Sequence, residues 1–225
     1  MSDKPLTIGV ILSGCGVYDG AEIHEAVLTL LAIVRHGGSY QCYAPNIPQH
    51  HVIDHRTGQE MAETRNVLTE SARIARGNIR DLATFAAGEV DALILPGGFG
   101  AAKNLSNFAF SGADCTVEIS LLRAVQAMVD AGKPVGALCI APAVLARILG
   151  DVDVTIGQDA GTAAAIEQMG ARHVPTSHGE IVIDQRRKVV TSPCYMLDAN
   201  IAQIADGADR AVAALMQLAR GPVRA

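Results

Sequence analysis

The stretch KPVGALCIAPAVLARIL, residues 133–149, combines a strand, a sharp turn and a helix within a short span. Lys133–Leu138 is short and apolar, as is typical of a parallel strand that is buried on both faces. Ile140–Leu149 has the composition of a helix, and Pro142 fits its first turn, where the missing N–H costs nothing. Cys139 lies between the two elements. A strand that runs straight into a helix predicts an α/β fold.

Strand-like and helix-like segments alternate along the whole chain, without a linker, a repeat or a low-complexity tract. Further strands are predicted at Thr7–Leu12, Gln41–Ala44, Asp91–Leu95 and Val152–Ile156. Further helices are predicted over Ala21–His36, Met61–Arg76, Asp114–Ala131 and Ala199–Leu218. Glu180–Asp184 and Lys188–Ser192 flank a polar turn and predict a hairpin. We therefore predict one domain over residues 1–225, a doubly wound, mostly parallel sheet with helices on both faces and a small appended β-hairpin.

The composition argues against several classes of protein. Hydrophobic residues make up 49% of the chain, but every apolar run falls short of the roughly 18 residues of a membrane span, so we expect no membrane partner. The opening MSDKPLTIGV lacks the basic start and apolar stretch of a secretion signal. We therefore expect a cytoplasmic protein, or one that reaches an organelle by means not visible in the sequence. A net charge of −5 disfavours nucleic acids and other polyanions as partners.

The cysteines and histidines do not follow the spacing of a metal site. The five cysteines, an odd number with no Cys-x-x-Cys pair, are Cys15, Cys42, Cys115, Cys139 and Cys194. His50, His51 and His55 are clustered, but no cysteine or carboxylate constellation accompanies them. Neither a Walker loop nor a dinucleotide fingerprint is present. We therefore predict reduced thiols, no metal and no cofactor.

The position of Cys139 resembles a nucleophile elbow, in which a strand turns sharply into a helix. The partial positive charge of the helix N-terminus is expected to lower the pKa of the thiol and favour the thiolate. The alternative interpretation is a buried, unreactive cysteine, and the local pattern does not distinguish the two.

Ligands of doubly wound folds sit beyond the carboxyl ends of the strands. This rule selects the loop Ser13–Gly20, the loop Pro96–Asn104 and the turn at Cys139. The glycines of the second loop allow its backbone N–H groups to form an oxyanion hole together with that of Ile140, although a plain tight turn is the alternative. The predicted oxyanion or substrate-binding residues are Gly97, Gly98, Ile140, Asn104 and Cys15.

Two other groups of residues are candidates for acid–base chemistry. Glu22 and Glu25 share one face of the first helix, and either is a candidate proton donor or base if it lies beside the cysteine. The alternative is that both only stabilise the helix N-terminus. His178 and Glu180 have the His-x-Glu form by which class I glutamine amidotransferases activate their cysteine, but a single triplet is a weak signal.

Several runs of sequence resemble the ThiJ/PfpI superfamily of class I glutamine amidotransferase-like proteins. They are Pro96–Gly98, the run GAAKNL at 100–105, Cys139–Pro142 and a glutamate early in the first helix. The runs GVILSGCGVYDG at 9–20, EIHE at 22–25 and TRNVL at 64–68 further resemble the isoprenoid-biosynthesis, or enhancing-lycopene-biosynthesis (ElbB-like), branch. The resemblance covers essentially the whole chain.

This resemblance implies a flavodoxin-like fold and a homodimer. It also implies a nucleophilic Cys139 and a glutamate that is hydrogen-bonded to its sulfur, for which Glu25 fits better than Glu22. Activities in the family include a glyoxalase that works without glutathione and a disputed protein deglycase. The stronger glyoxalases carry a histidine near the strand after the elbow helix, whereas Val154–Gln158 contains none.

The leading hypothesis is a weak, cofactor-independent glyoxalase of the glyoxalase III type, a lyase that acts on a small aldehyde through a hemithioacetal on Cys139 and is linked to isoprenoid biosynthesis by resemblance. One rival is an amidotransferase-like hydrolase that uses Cys139 with His178 and Glu180. Another is a redox sensor or chaperone without catalytic activity, in which oxidation of Cys139 alters a partner surface.

Overall fold

A computed structural model describes residues 5–221 of the chain. Its strands are β1 Thr7–Ile11, β2 Ser39–Ala44, β3 Ile53–Asp54, β4 Gln59–Glu60, β5 Ile79–Asp81, β6 Ala92–Leu95, β7 Val135–Leu138, β8 Asp153–Val154, β9 Arg172–His173, β10 Val182–Asp184 and β11 Val189–Ser192. Its helices are α1 Ile23–Arg35, α2 Val67–Ile74, α3 Phe99–Lys103, α4 Phe108–Ser111, α5 Ile119–Asp130, α6 Ala141–Leu149, α7 Ala160–Gln168 and α8 Ile201–Arg220.

Seven strands form one central sheet in the order β10-β11-β7-β6-β1-β2-β5. All neighbours in this sheet run parallel except β10, which is antiparallel to β11. The pairs β3–β4 and β8–β9 form two small separate sheets, of which β3–β4 is a hairpin. The predicted flavodoxin-like fold class is confirmed. The predicted hairpin over Glu180–Asp184 and Lys188–Ser192 is present as β10–β11, and both of its strands belong to the central sheet.

Buried side chains form one apolar layer on each face of this sheet. One layer holds residues of α5, α6 and α7, and the other holds residues of α1, α2 and α8. This arrangement is the three-layer solution by which a parallel sheet keeps both faces from water. Within residues 5–221, no helix is long and apolar enough to cross a membrane.

Two helices, α2 and α5, begin later in the structure than the sequence predicts, because capping side chains fix their first residues. Asn66 accepts a hydrogen bond from Thr69 N at 3.0 Å, and α2 therefore starts at Val67 rather than at Met61. Glu118 likewise accepts a bond from Leu121 N at 2.9 Å. A side chain that takes up a free N–H of the first turn defines the helix start.

Helix α1 presents four large apolar side chains outward. Ile23, Val27, Leu31 and Val34, which helped to predict the helix, are 40–55% exposed. Its buried face carries Leu30 and Ile33 together with smaller or polar residues, among them Ala26, Thr29 and Glu25. The apolar periodicity therefore predicted the helix correctly, but most of the large apolar positions that it marks do not face the core.

We define the α1 stripe as Ile23, Val27, Leu31 and Val34, and the predicted homodimer is expected to use it. Burial of apolar area contributes about 25 cal/mol per Å², whereas an unpaired charge in such a contact opposes association. Val27→Glu is therefore expected to convert the protein to a monomer in light scattering coupled to size exclusion.

The matched control is Gln126→Glu, which adds the same charge at an exposed position of α5. This control is expected to leave the oligomeric state unchanged. A wild-type protein that is monomeric, or a Val27→Glu variant that stays dimeric, would contradict the prediction.

Candidate active site

Cys139 lies immediately after β7 and directly before Ile140, the N-cap residue of α6. Its N–H donates to Ser192 O at 2.9 Å, which continues the β7–β11 pairing by one residue. Its φ is 59°, in the left-handed region that residues other than glycine rarely adopt. This conformation produces the predicted sharp turn. The side chain is 7% exposed, so the thiol is nearly closed off from solvent.

Glu25 is the carboxylate that meets this thiol. It projects from the buried face of α1, is fully buried, and shares a hydrogen bond with Cys139. Its Oε2 accepts a bond from Gly97 N at 2.9 Å, and its Oε1 accepts one from Tyr195 N at 3.1 Å. Three separate parts of the chain therefore hold this carboxyl in place.

Glu22 has a different role in the structure. Its side chain caps α1 by accepting a bond from Glu25 N at 2.7 Å, and its own N–H donates to Gly97 O at 2.9 Å. Of the two predicted carboxylates, the structure brings Glu25 to the sulfur and uses Glu22 to fix the start of the helix that carries it.

The Pro96–Gly98 turn supplies one half of the predicted oxyanion hole. The backbone N–H groups of Gly98 and Ile140 lie beside the Cys139 sulfur and act to lower the pKa of its thiol. Gly97 was predicted to belong to the same hole, but the structure differs, because its N–H is engaged by Glu25. The backbone pair available for a developing negative charge is therefore that of Gly98 and Ile140.

Close packing explains why this turn contains two glycines. A Cβ on Gly97 would lie 2.3 Å from the Cys139 Cβ and 2.7 Å from Glu25 Oε2. Gly98 has a φ of 94°, and a Cβ there would lie 2.3 Å from Glu22 N. A side chain at Gly97 would displace the nucleophile or the carboxylate, and one at Gly98 would displace the backbone of residues 20–22 that leads into α1.

Burial dominates the electrostatics of the thiol and the carboxyl. It raises the pKa of Glu25 to about 8, with a further increase from the charge of Glu22, while the bonds from Tyr195, Gly97 and Cys139 lower it. Burial and the adjacent Glu25 also raise the pKa of the Cys139 thiol well above its ordinary value. The sequence predicted a lowered pKa from the N-terminus of α6. The Ile140 N–H does act in that direction, but burial outweighs it.

The structure keeps two of the predicted substrate-binding residues away from this function. Asn104 donates both amide hydrogens, to Ser13 O at 2.8 Å and Asp19 O at 2.9 Å, and its Oδ1 accepts a bond from His50 N at 2.9 Å. It therefore ties three loops together and has no hydrogen left for a ligand.

Cys15 lies in a different environment from Cys139. Burial and the charge of Glu70 raise the pKa of its thiol, and the other charges that act on it are those of Arg73, Asp19 and Arg65. None of these belongs to the thiol–carboxyl pair. No hydrogen bond or ion pair joins Cys15 to Cys139 or Glu25 within residues 5–221.

The residues of the amidotransferase hypothesis do not form a triad. His178 is exposed, and the Glu180 carboxylate accepts a bond from Ser177 N at 2.6 Å. No hydrogen bond or ion pair joins His178 to Glu180 or to Cys139 within the described part of the chain. In the same part, no cluster of three or more His, Cys, Asp or Glu residues is arranged to hold a metal ion.

The segment after β11 contributes residues that the sequence did not indicate. Cys194 is buried in the same apolar layer as Cys139 and contributes to the raised pKa of that thiol. Tyr195 donates its N–H to Glu25, and its hydroxyl forms a 2.8 Å hydrogen bond with His24 Nδ1. The sequence signal that could have indicated this segment is its place at the carboxyl end of β11, which lies beside the carboxyl end of β7. It was missed because the strand was assigned to an appended hairpin.

Comparison with known proteins gives close relatives over nearly the whole chain. No model of a protein family matches. The chain is 48% identical over 221 residues to the human "Glutamine amidotransferase-like class 1 domain-containing protein 3, mitochondrial", a match that covers 94% of this chain and 82% of that protein.

Two solved structures resemble the fold. An isoprenoid biosynthesis protein with an amidotransferase-like domain from Ehrlichia chaffeensis is 37% identical, with a TM-score of 0.88 over 94% of this chain and 99% of that chain. DJ-1beta from Drosophila melanogaster shares the fold alone, with 16% identity and a TM-score of 0.54 over 97% of each chain. The chain therefore belongs to the class 1 glutamine amidotransferase-like family, as the sequence resemblance predicted, and it shares its fold with ThiJ/PfpI and DJ-1 proteins.

Proposed function

We propose that this protein is a cofactor-independent glyoxalase that converts glyoxal to glycolate or methylglyoxal to lactate. The observation that carries the proposal is the buried pair of Cys139 and Glu25, with the backbone N–H groups of Gly98 and Ile140 beside the sulfur. This arrangement combines a nucleophile, a proton carrier and an oxyanion hole without a metal or an organic cofactor.

The first step is addition of the Cys139 sulfur to the aldehyde carbon. A carbon–sulfur bond forms, the carbonyl π bond breaks, and the thiol proton reaches the new alkoxide through Glu25, giving a hemithioacetal. A carboxyl with a pKa of about 8 exchanges its proton easily near neutral pH, so it can act as base and then as acid. The N–H groups of Gly98 and Ile140 stabilise the oxygen while it is charged.

The second step moves one proton between the two carbons of the substrate. Glu25 removes the proton from the hemithioacetal carbon and returns it to the neighbouring carbon through an enediol, which leaves a thioester of a hydroxy acid. Water then cleaves the thioester and restores the Cys139 thiol. The substrate is oxidised at one carbon and reduced at the other, so the reaction needs no external oxidant.

The amidotransferase alternative has less support from the geometry. An amide is a poorer electrophile than an aldehyde and depends on an activated cysteine, which a histidine supplies in the usual triads. His178 makes no contact with Cys139. The thiol–carboxyl pair therefore suits a reactive carbonyl better than an amide.

The cellular setting is proposed from the relatives alone. The Ehrlichia protein is named for isoprenoid biosynthesis and the human relative for mitochondria. A link to isoprenoid metabolism, and a location in the cytoplasm or in an organelle of bacterial origin, agree with these names.

Cys139→Ser is expected to abolish glyoxal turnover, because a hydroxyl does not ionise in the accessible pH range. The change is small, so the variant is expected to remain folded. Turnover is measured by the formation of glycolate.

Cys115→Ala is the matched control, because it removes a buried thiol whose charged neighbours are Arg147 and Asp114 rather than Glu25. It is expected to keep most of the activity. Full turnover by Cys139→Ser would rule out the proposed nucleophile.

Glu25→Gln is expected to lower turnover by about 10²–10⁴-fold, the effect typical of losing a general acid or base. Glu22→Gln is expected to cause a smaller loss, because Glu22 acts by holding the start of α1. Single-turnover measurement with methylglyoxal distinguishes them. A larger loss for Glu22→Gln would reverse the two assignments.

The raised pKa of Glu25 predicts how stability depends on pH. The folded pKa of about 8 exceeds the unfolded value of about 4.3, so the folded state binds more protons between these two values. The free energy of unfolding contributed by this group therefore falls as pH rises from about 4.3 to about 8, by up to about 1.4 kcal/mol per pH unit, and is constant above.

Urea denaturation of the wild type and of Glu25→Gln at pH 5 and pH 9 measures this effect. The wild type is expected to lose more stability than the variant between the two pH values. Equal losses would show that the carboxyl titrates normally.

A further inference from the structure

A cleft of about 370 Å³ lies beyond the carboxyl ends of β2 and β5, and the proposed glyoxalase chemistry does not use it. Its walls are the loop after β2, the turn after β5 and the N-terminal part of α5. Ligands of doubly wound folds bind at this edge of the sheet, and small-molecule sites have volumes of about 300–1,000 Å³. The size and the position of the cleft therefore match those of a small-molecule site.

The cleft is separate from the site at Cys139. In the central sheet, β2 lies three strands from β7 and β5 lies four, in the order β7-β6-β1-β2-β5. Neighbouring strands are about 4.8 Å apart, which places the cleft about 14–19 Å from the turn after β7. A ligand of the cleft and a substrate on Cys139 therefore occupy different places.

The inner wall of the cleft is apolar. Leu82 is 1% exposed and Ala124 is 2% exposed, and both belong to the buried layer on this face of the sheet. Phe85 packs on that layer and meets the Tyr43 ring edge-to-face, with the ring centroids 5.2 Å apart. Side chains fixed in this way form a wall before any ligand arrives, and such a wall favours an apolar group.

Two carboxylates line the cleft, and each has one oxygen free. Asp81 caps the turn after β5, because its Oδ1 accepts a bond from Ala83 N at 2.9 Å. Glu118 caps α5 through Oε2, which accepts bonds from Ser120 Oγ and Leu121 N. Within residues 5–221, Asp81 Oδ2 and Glu118 Oε1 accept no hydrogen bond. The caps hold both carboxylates in place, and the free oxygens are acceptors for a cationic donor.

Arg123 supplies the opposite charge. It lines the cleft from α5, is exposed, and forms no hydrogen bond or ion pair with any residue of the described chain. A guanidinium is charged at every physiological pH and binds a carboxylate through two parallel hydrogen bonds. Beside its apolar wall, the cleft therefore presents acceptors for an ammonium group and donors for a carboxylate.

We infer that this cleft binds a free α-amino acid with a large apolar side chain. The ammonium group bonds the free oxygens of Asp81 and Glu118, and the carboxylate bonds Arg123. The side chain of the ligand packs on Leu82 and Phe85. A purely anionic ligand would meet two carboxylates, and a purely cationic one would leave the guanidinium unpaired, whereas a zwitterion satisfies both. This inference does not rest on the proposed glyoxalase function.

The test is an NMR titration of the isotope-labelled, full-length protein with L-leucine. The backbone amide resonances of Leu82, Ala83 and Ser120 are expected to shift. Those of Gly98 and Ile140, at the candidate active site, are expected to stay in place. This pattern would locate the ligand in the cleft and away from the thiol.

Calorimetry with analogues of L-leucine tests each group of the ligand. Isoamylamine lacks the carboxylate and isocaproate lacks the ammonium group. Each is expected to bind at least about tenfold more weakly than L-leucine, because hydrogen bonds between charged groups are lost. L-Glutamine keeps both charges but has a polar side chain, so it is also expected to bind more weakly.

Arg123→Gln is expected to bind L-leucine no more tightly than isoamylamine, because it no longer recognises the carboxylate. Asp81→Asn keeps an acceptor for the Ala83 N–H and is expected to weaken binding of L-leucine about tenfold without weakening that of isocaproate. Glu118→Gln takes its place if that variant fails to melt cooperatively. Arg35→Gln, which removes an exposed arginine of α1, is the matched control and is expected to bind as the wild type does.

Three results would overturn the inference. The first is an absence of shifts around the cleft at millimolar L-leucine. The second is a wild type that binds isocaproate or isoamylamine as tightly as L-leucine. The third is an Arg123→Gln protein that keeps the full preference for L-leucine over isoamylamine.

Discussion

The Glu25 carboxyl, held between the N–H groups of Gly97 and Tyr195, is the interaction on which the site depends. A carboxyl that is fully removed from water must satisfy its oxygens within the protein. The structure does so by bringing the turn after β6 and the segment after β11 onto α1. The same contact sets the position of the nucleophile. Because Gly97 has no side chain, it packs directly against both the Glu25 carboxyl and the Cys139 side chain.

The glutamate also determines the chemistry that the thiol can perform. A helix N-terminus alone favours a thiolate, but removal of the thiol from water opposes charge more strongly here. Both the Cys139 thiol and the Glu25 carboxyl therefore tend to hold their protons, and the nucleophile is not a permanent thiolate. Such a site suits reactions in which a proton moves together with bond formation, as in the addition of a thiol to an aldehyde.

The sequence predicted the elements whose signals are local. Strand-to-helix turns, glycines after strands and a cysteine on an elbow are visible in short windows. The three loops selected by the carboxyl-edge rule include the Cys139 turn and the Gly97 turn that binds the Glu25 carboxyl. The face of α1 was not predictable in the same way, because apolar residues on a helix can face either the core or a surface. The uses of Gly97 N–H and of the Asn104 amide depend on partners 72 and 91 residues away. No pattern within a short window contains that information.

The position of β11 in the sheet has a consequence for folding. Residues 25, 97, 139 and 195 meet at one point, and the last of them follows the final strand to join the sheet. Contacts between distant parts of a chain carry the largest loop-closure cost and form slowly. A chain still being synthesised can form β1, β6 and β7 while its carboxyl lacks one of its two backbone partners. The reactive centre is therefore completed only when the segment after β11 has been made, which keeps its thiol out of use until the surrounding core is closed.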